Sequence, residues 1–138
     1  MQYATNKNIL QIICGVLLLF SFFSAWYNTG AFLIQPSELM GYDRFPLFKL
    51  FFVLPILGIA HIYFGWMKTY KPILHLASTL MSIILMYELH EVVDFSTSDR
   101  DGAANGYYMA GLAILISIAS FILSKKEISN VQTASKES

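Results

Sequence analysis

Glu88, His90, Glu91 and Asp94 fall within seven positions of one another, in the stretch YELHEVVDF. Carboxylates and an imidazole so placed could hold a metal ion, pass a proton, or pair with a cation. His90 and Asp94 stand four apart, a spacing that puts two ligands one helical turn apart on one face. Asp43, Asp99 and Asp101 could add oxygen ligands from loops. The set lacks an HExxH pattern or a cysteine tetrad, which would define a zinc site. SDRDG also departs from an EF-hand loop, because Gly102 arrives too early and no ligand follows at the right place. No metal is therefore expected, with His90 and Asp94 the candidates should one bind. The expected reading is a solvated, ion-paired helix end. At 3.6 residues per turn the four ionisable residues share one face, and Leu89, Val92 and Val93 share the other.

Other groups could carry chemistry. His61 and His75 lie either side of a short polar turn, at depths within about 5 Å of each other on neighbouring helices. Matched histidines could ligate a haem or hydrogen-bond serines within a bundle. A five-residue turn leaves little room for a haem between the two helices, which favours the serines. Cys14 is the one cysteine, so no intramolecular disulfide and no CxxC motif can form. It reads as a small packing residue. No Gly-rich phosphate loop, Ser–His–Asp set or nucleic-acid motif is visible. No catalytic residue, no cofactor and no nucleic-acid partner are expected.

The elements that must position these residues follow from composition. Of 138 residues, 56% are hydrophobic and 13% charged. Soluble domains carry roughly 25% charged residues, so lipid is the expected solvent. Four apolar runs occupy 9–27, 45–67, 73–93 and 107–123. Each has about the 17–25 residues that cross a hydrocarbon core, and backbone in lipid must be helical to satisfy its own hydrogen bonds. The first run is read as an uncleaved anchor, because Phe23 would fall where a signal cleavage site needs a small residue. Pro55 lies inside the second run and predicts a kink there.

Lysine and arginine set the direction. Lys7, Lys68, Lys71, Lys125, Lys126 and Lys136 fall on one side, Arg44, Lys49 and Arg100 on the other. Both termini are therefore expected in the cytoplasm. Most acids, Glu38, Asp43, Glu88, Glu91, Asp94, Asp99 and Asp101 among them, lie toward the outer side. Lys49 is about as far from the turn near Thr69 as Glu88 and Glu91 are on the next helix. A charge in lipid is expensive and finds a partner, which predicts a Lys49–Glu88 or Lys49–Glu91 ion pair. His75, Ser78, Thr79 and Ser82 share the face opposite those acids, so the third helix changes its polar side halfway along.

Packing signals are clearest in the fourth run. Gly106, Ala110, Ala113, Ser117, Ser120 and Ser124 recur at heptad spacing. Small residues let membrane helices approach closely, and the first helix, with a weaker seam of Cys14, Leu18, Ser21, Ala25 and Asn28, is the expected partner. Trp26, Tyr27, Trp66, Tyr70, Tyr107 and Tyr108 stand at run ends, where aromatic belts form. The segment 125–138 is polar and is expected to be a disordered cytoplasmic tail.

The layout of four spans, with a longer first outer loop after a Trp-tipped helix, resembles that of claudin-like proteins. The cysteine pair of that family's first outer loop is absent here, and the resemblance implies no more than the layout. The expected fold is all-α: an integral membrane four-helix bundle over 1–124, up-down-up-down, with both termini cytoplasmic, in a plasma or inner membrane. The expected function is non-enzymatic, as a subunit or accessory factor of a membrane complex. Its expected partners are the bilayer and another membrane protein or a second copy. An alternative is an oligomeric ion channel or small-solute transporter with an acidic outer vestibule. A third is a metal- or haem-binding membrane protein.

Overall fold

The computed structural model describes residues 2–28, 32–41, 46–94 and 102–137, and the side chains of 6–28, 32–41, 46–91 and 104–137. Helix α1 spans Gln2–Phe23, the short α2 Pro36–Leu39, α3 Val53–Trp66, α4 Pro72–Asp94 and α5 Asn105–Glu137. A 3-10 segment, Pro46–Phe52, leads into α3. Among the described residues, four helices are long and apolar enough to cross a membrane: α1, the 3-10 segment continued by α3, α4, and α5. Around the bundle α1 packs on α3 and α5, and α4 packs on the same two.

Two ends are distinct. At the turn end, α3 passes into α4 through Met67–Lys71. Lys68 lies in the left-handed region at φ 55°. Its amide donates to Gly65 O (3.1 Å) and the Thr69 amide to Phe64 O (2.8 Å). This pair of bonds is a Schellman C-cap, whose left-handed residue is usually glycine. Lysine pays for its Cβ there. Lys68→Gly is expected to raise stability by roughly 0.5–1 kcal/mol, seen as a higher thermal unfolding midpoint in detergent.

The turn is also closed from α1. The fully buried Gln11 donates through Nε2 to Thr69 O (3.1 Å) and accepts from the Lys71 amide at Oε1 (2.9 Å). Lys7 forms an ion pair with Glu127 on α5 at the same end.

At the other end three two-residue strands form a sheet of order β2-β1-β3, with β1 at Tyr27–Asn28, β2 at Leu33–Ile34 and β3 at Gly102–Ala103. Both pairings are antiparallel, Tyr27 opposite Ile34 on one side and Ala103 on the other. The Trp26 amide donates to Ile34 O, the Ala104 amide to Trp26 O and the Gly106 amide to Ala25 O, all at 2.8–2.9 Å. The start of the first long connection and the end of the second are thus stitched together beyond the end of α1.

This sheet corrects the aromatic-belt reading of Trp26 and Tyr27. The helix ends at Phe23, and both residues belong to the stitched segment. Trp26 is fully buried. Its ring meets Phe51 edge-on at 4.6 Å and Tyr107 at 6.0 Å, and its Nε1–H donates to Ser21 O at 2.9 Å. Trp66, by contrast, is 80% exposed, as a belt residue would be.

Two further expectations change. The second run is not one α-helix with a kink at Pro55. The helix type switches from 3-10 to α at Val53, so Pro55 falls in the first turn of α3, where a missing amide costs no helical bond. And α5 continues as helix to Glu137, where the polar composition suggests disorder. No Pro or Gly follows Gly111, so nothing in the tail stops the helix, and its residues beyond Ile128 are solvent-exposed.

Candidate functional site

Close packing brings polar residues from all four long helices together. On α5, Gly106, Ala110, Ala113, Ser117 and Ser120 are buried, and Ser124 is half-buried. Gly106 is small because the Trp26 indole lies where its Cβ would be. Ser21 of α1 donates to Gly106 O at 2.7 Å. One face of α1 therefore meets the seam through Ser21, Leu18 and Cys14. Another face of α1 meets α3, where a Cβ on Gly15 would lie 2.5 Å from Gly58 O.

On α4 the buried positions are His75, Ser78, Ser82, Leu85, Glu88 and Leu89. They repeat at three- and four-residue steps and form one inward stripe. The polar half of that stripe creates the centre of interest. Cys14 of α1, His61 of α3 and His75 of α4 are each fully buried. The Cys14 Sγ and one ring nitrogen of each histidine lie within 4.8 Å of one another.

Serines hold this cluster. His61 Nε2 is hydrogen-bonded to Ser78 Oγ at 2.8 Å, and His75 Nδ1 to Ser117 Oγ at 3.0 Å. Ser117 Oγ also lies 3.5 Å from Cys14 Sγ, which is 3.8 Å from Ala113 O. The remaining nitrogens, His61 Nδ1 and His75 Nε2, are buried and make no contact of full hydrogen-bond geometry among the described residues, although the Leu74 backbone interacts with the His61 ring. Tyr70 covers the cluster toward the turn end. Its ring lies 5.4 Å from that of His75, its hydroxyl accepts from Ser120 Oγ at 2.9 Å, and the Lys7 ammonium sits 5.1 Å from its ring centre.

A haem does not fit between these histidines. Imidazoles on opposite faces of a haem iron hold their ring centres roughly 6 Å apart, given metal–nitrogen bonds of about 2 Å. Here the centres are 4.6 Å apart, with no plane of separation.

The sequence-derived cluster at the far end of α4 is arranged differently from expectation. Glu88 is buried at 8% exposure on the flank of the inward stripe, beside Leu85 and Leu89. His90 and Glu91 turn outward, and the Glu91 carboxylate faces the Tyr87 phenol one turn back. The acids therefore do not act as one face. Lys49 is exposed, and among the described residues it forms no ion pair with Glu88 or Glu91. The reason lies in the segment that carries it. A 3-10 helix has three residues per turn instead of 3.6, so across Lys49–Phe52 the side-chain direction departs from that of an α-helix, and matched depth alone does not aim Lys49 at α4. The side chain of Asp94, and residues Asp43, Arg44, Asp99, Arg100 and Asp101, lie outside the described residues.

Pairwise spacing along one helix hid the cluster. Cys14, His61 and His75 come from three helices, and the close approach of α1 to α3 at Gly15 and Gly58 brings Cys14 to the two histidines. The available signal was that Cys14 and Ser117 both sit in small-residue seams, at matching distances from opposite run ends.

Comparison of the chain with protein-family models, with curated protein sequences and with solved structures finds no match.

Proposed function

We propose that this chain is a small multi-pass membrane protein that acts without catalysis, as a subunit or accessory factor of a larger membrane complex. The bundle is read as up-down-up-down with both termini cytoplasmic, on the distribution of lysine and arginine. One observation carries the non-enzymatic reading. The groups best suited to chemistry, Cys14, His61 and His75, are sealed inside the bundle, while two surface grooves are apolar. One groove is lined by Val16, Leu19, Phe20 and Phe23 of α1, the other by Ile59, Ile62, Tyr63 and Trp66 of α3. Such grooves suit a neighbouring helix or an acyl chain, not a polar substrate.

The packing also weighs against the channel reading for a path through the bundle. Leu18, Leu54 and Leu85, all fully buried on three helices, stand between the histidine cluster and Glu88. An apolar layer of this kind interrupts a hydrated path.

The test is purification of the full chain from its native membrane in a mild detergent. A second membrane protein, or a second copy, is expected to co-purify in fixed ratio. Recovery of the folded chain only as a monomer overturns the subunit reading. Ion flux into liposomes above that of empty vesicles would favour the channel instead.

A further inference from the structure

We propose that Cys14, His61 and His75 form a binding site for a monovalent copper ion, Cu+, in the half of the bundle nearest the turn between α3 and α4. Three soft or borderline donors converge there from three helices, within 4.8 Å of one another. Tetrahedral or trigonal coordination with metal–nitrogen bonds of about 2.0 Å and metal–sulfur bonds of about 2.3 Å needs donor separations of roughly 3.3–3.8 Å. Closing that gap takes about 1 Å of side-chain movement, within reach of imidazole rotation on fixed helices.

The surroundings are those of a ligand set. Each histidine has one nitrogen held by a serine, Ser78 for His61 and Ser117 for His75. Each keeps the other nitrogen buried and without a contact of full hydrogen-bond geometry among the described residues. Metal-ligating histidines are built this way, one nitrogen on the metal and the other oriented by an outer partner; binding here requires that the two unbonded nitrogens be the ones turned toward Cys14 Sγ. Ser117 also reaches Cys14 Sγ at 3.5 Å, so a single hydroxyl orients two donors.

Charge selects the metal. Thiolate and imidazole suit both Cu+ and Zn2+. The site is fully buried among apolar helices, where net charge is expensive. Of the three donors only the thiolate is charged, so Cu+ gives a neutral complex and Zn2+ leaves a positive charge uncompensated. Binding replaces the thiol hydrogen by the metal and releases one proton to solvent. The ring separation excludes a haem, so the occupant proposed is a single ion.

The experiment uses the full chain, reduced, in detergent micelles. Cu+ is titrated against a chromogenic Cu+ chelator, and Zn2+ in parallel against a zinc indicator. One Cu+ per chain is expected, held more tightly than Zn2+. Cys14→Ser and His75→Gln are expected to weaken Cu+ binding at least about 100-fold, beyond the loss an outer-shell partner causes. His90→Gln, at the other end of α4, is expected to leave it unchanged. Helicity and elution volume confirm folding of each variant. Should His75→Gln misfold, the near-isosteric Cys14→Ser carries the test, with loss of the thiolate-to-metal absorption as a second readout. Folded wild-type protein that binds no Cu+, equal binding by Cys14→Ser, or a preference for Zn2+ overturns the proposal.

Discussion

Trp26→Ala is expected to lower stability by about 3–5 kcal/mol, the range for emptying a fully buried aromatic site. The indole fills the junction where the end of α1, the 3-10 segment and the start of α5 meet, against Phe51 and Tyr107. It lies beyond the apolar body of α1, next to backbone amides that pair as sheet. Water competes for that position more than it does in the membrane-spanning body, so burial there carries the hydrophobic term as well as packing. The change also leaves Ser21 O without the indole donor and opens a cavity over Gly106. The measurement is thermal or denaturant unfolding of the full chain in detergent, followed by helicity. Trp66→Ala is the comparison. That side chain is 80% exposed and its loss should leave the unfolding midpoint nearly unchanged. Equal midpoints for the two variants would contradict the assigned role of Trp26.

Gly15→Ala is expected to cost about 3 kcal/mol, at the upper end for adding one methyl group to a packed interior. The new Cβ would sit 2.5 Å from Gly58 O, 2.8 Å from Ile62 Cγ1 and 2.9 Å from His61 Cβ. Two of those neighbours are fixed by the backbone of α3, so the helices themselves must separate. Gly111→Ala is the internal control, because its Cβ would meet only Met86 Cε at 3.9 Å. There alanine should be neutral or gain up to about 1 kcal/mol of helix propensity. Unfolding in a graded denaturing detergent separates the two. A Gly15→Ala protein as stable as wild type would mean that α1 and α3 do not approach as described. The same variant should disturb His61, whose Cβ borders Gly15, and so weaken metal binding along with stability.

Apolar runs of sufficient length made the four long helices legible, and a heptad of small residues marked the buried face of α5. These signals are local and repeat with the helix period. Trp26 shows where such reading fails. An aromatic at the end of an apolar run looks the same whether it meets headgroups or folds back under a glycine 80 residues later. Lys49 fails for a related reason, since its direction depends on a helix type that apolarity does not report. The histidine cluster was half legible: matched depth on neighbouring helices was readable for His61 and His75. Their company with Cys14 was not, because it depends on which face α1 turns toward α3 and which toward α5. The strands could not be read at all. Two-residue strands have no period, and their formation rests on partners from both long connections.

The three-strand sheet imposes an order on assembly. Its central strand follows α1 directly, yet its last partner, β3, lies just before α5. The Ser21–Gly106 bond joins residues 85 apart, and the Cys14–Ser117 contact joins residues 103 apart. At a synthesis rate of about 5–20 residues per second, α1 waits roughly 5–20 s for α5. Until then it can engage α3 through Gly15 and Gly58, but Cys14, Ser21 and Trp26 lack their final neighbours. The helix made first thus keeps one face open until the last is made, and the junction around Trp26 acts as the latch that records arrival of the fourth span.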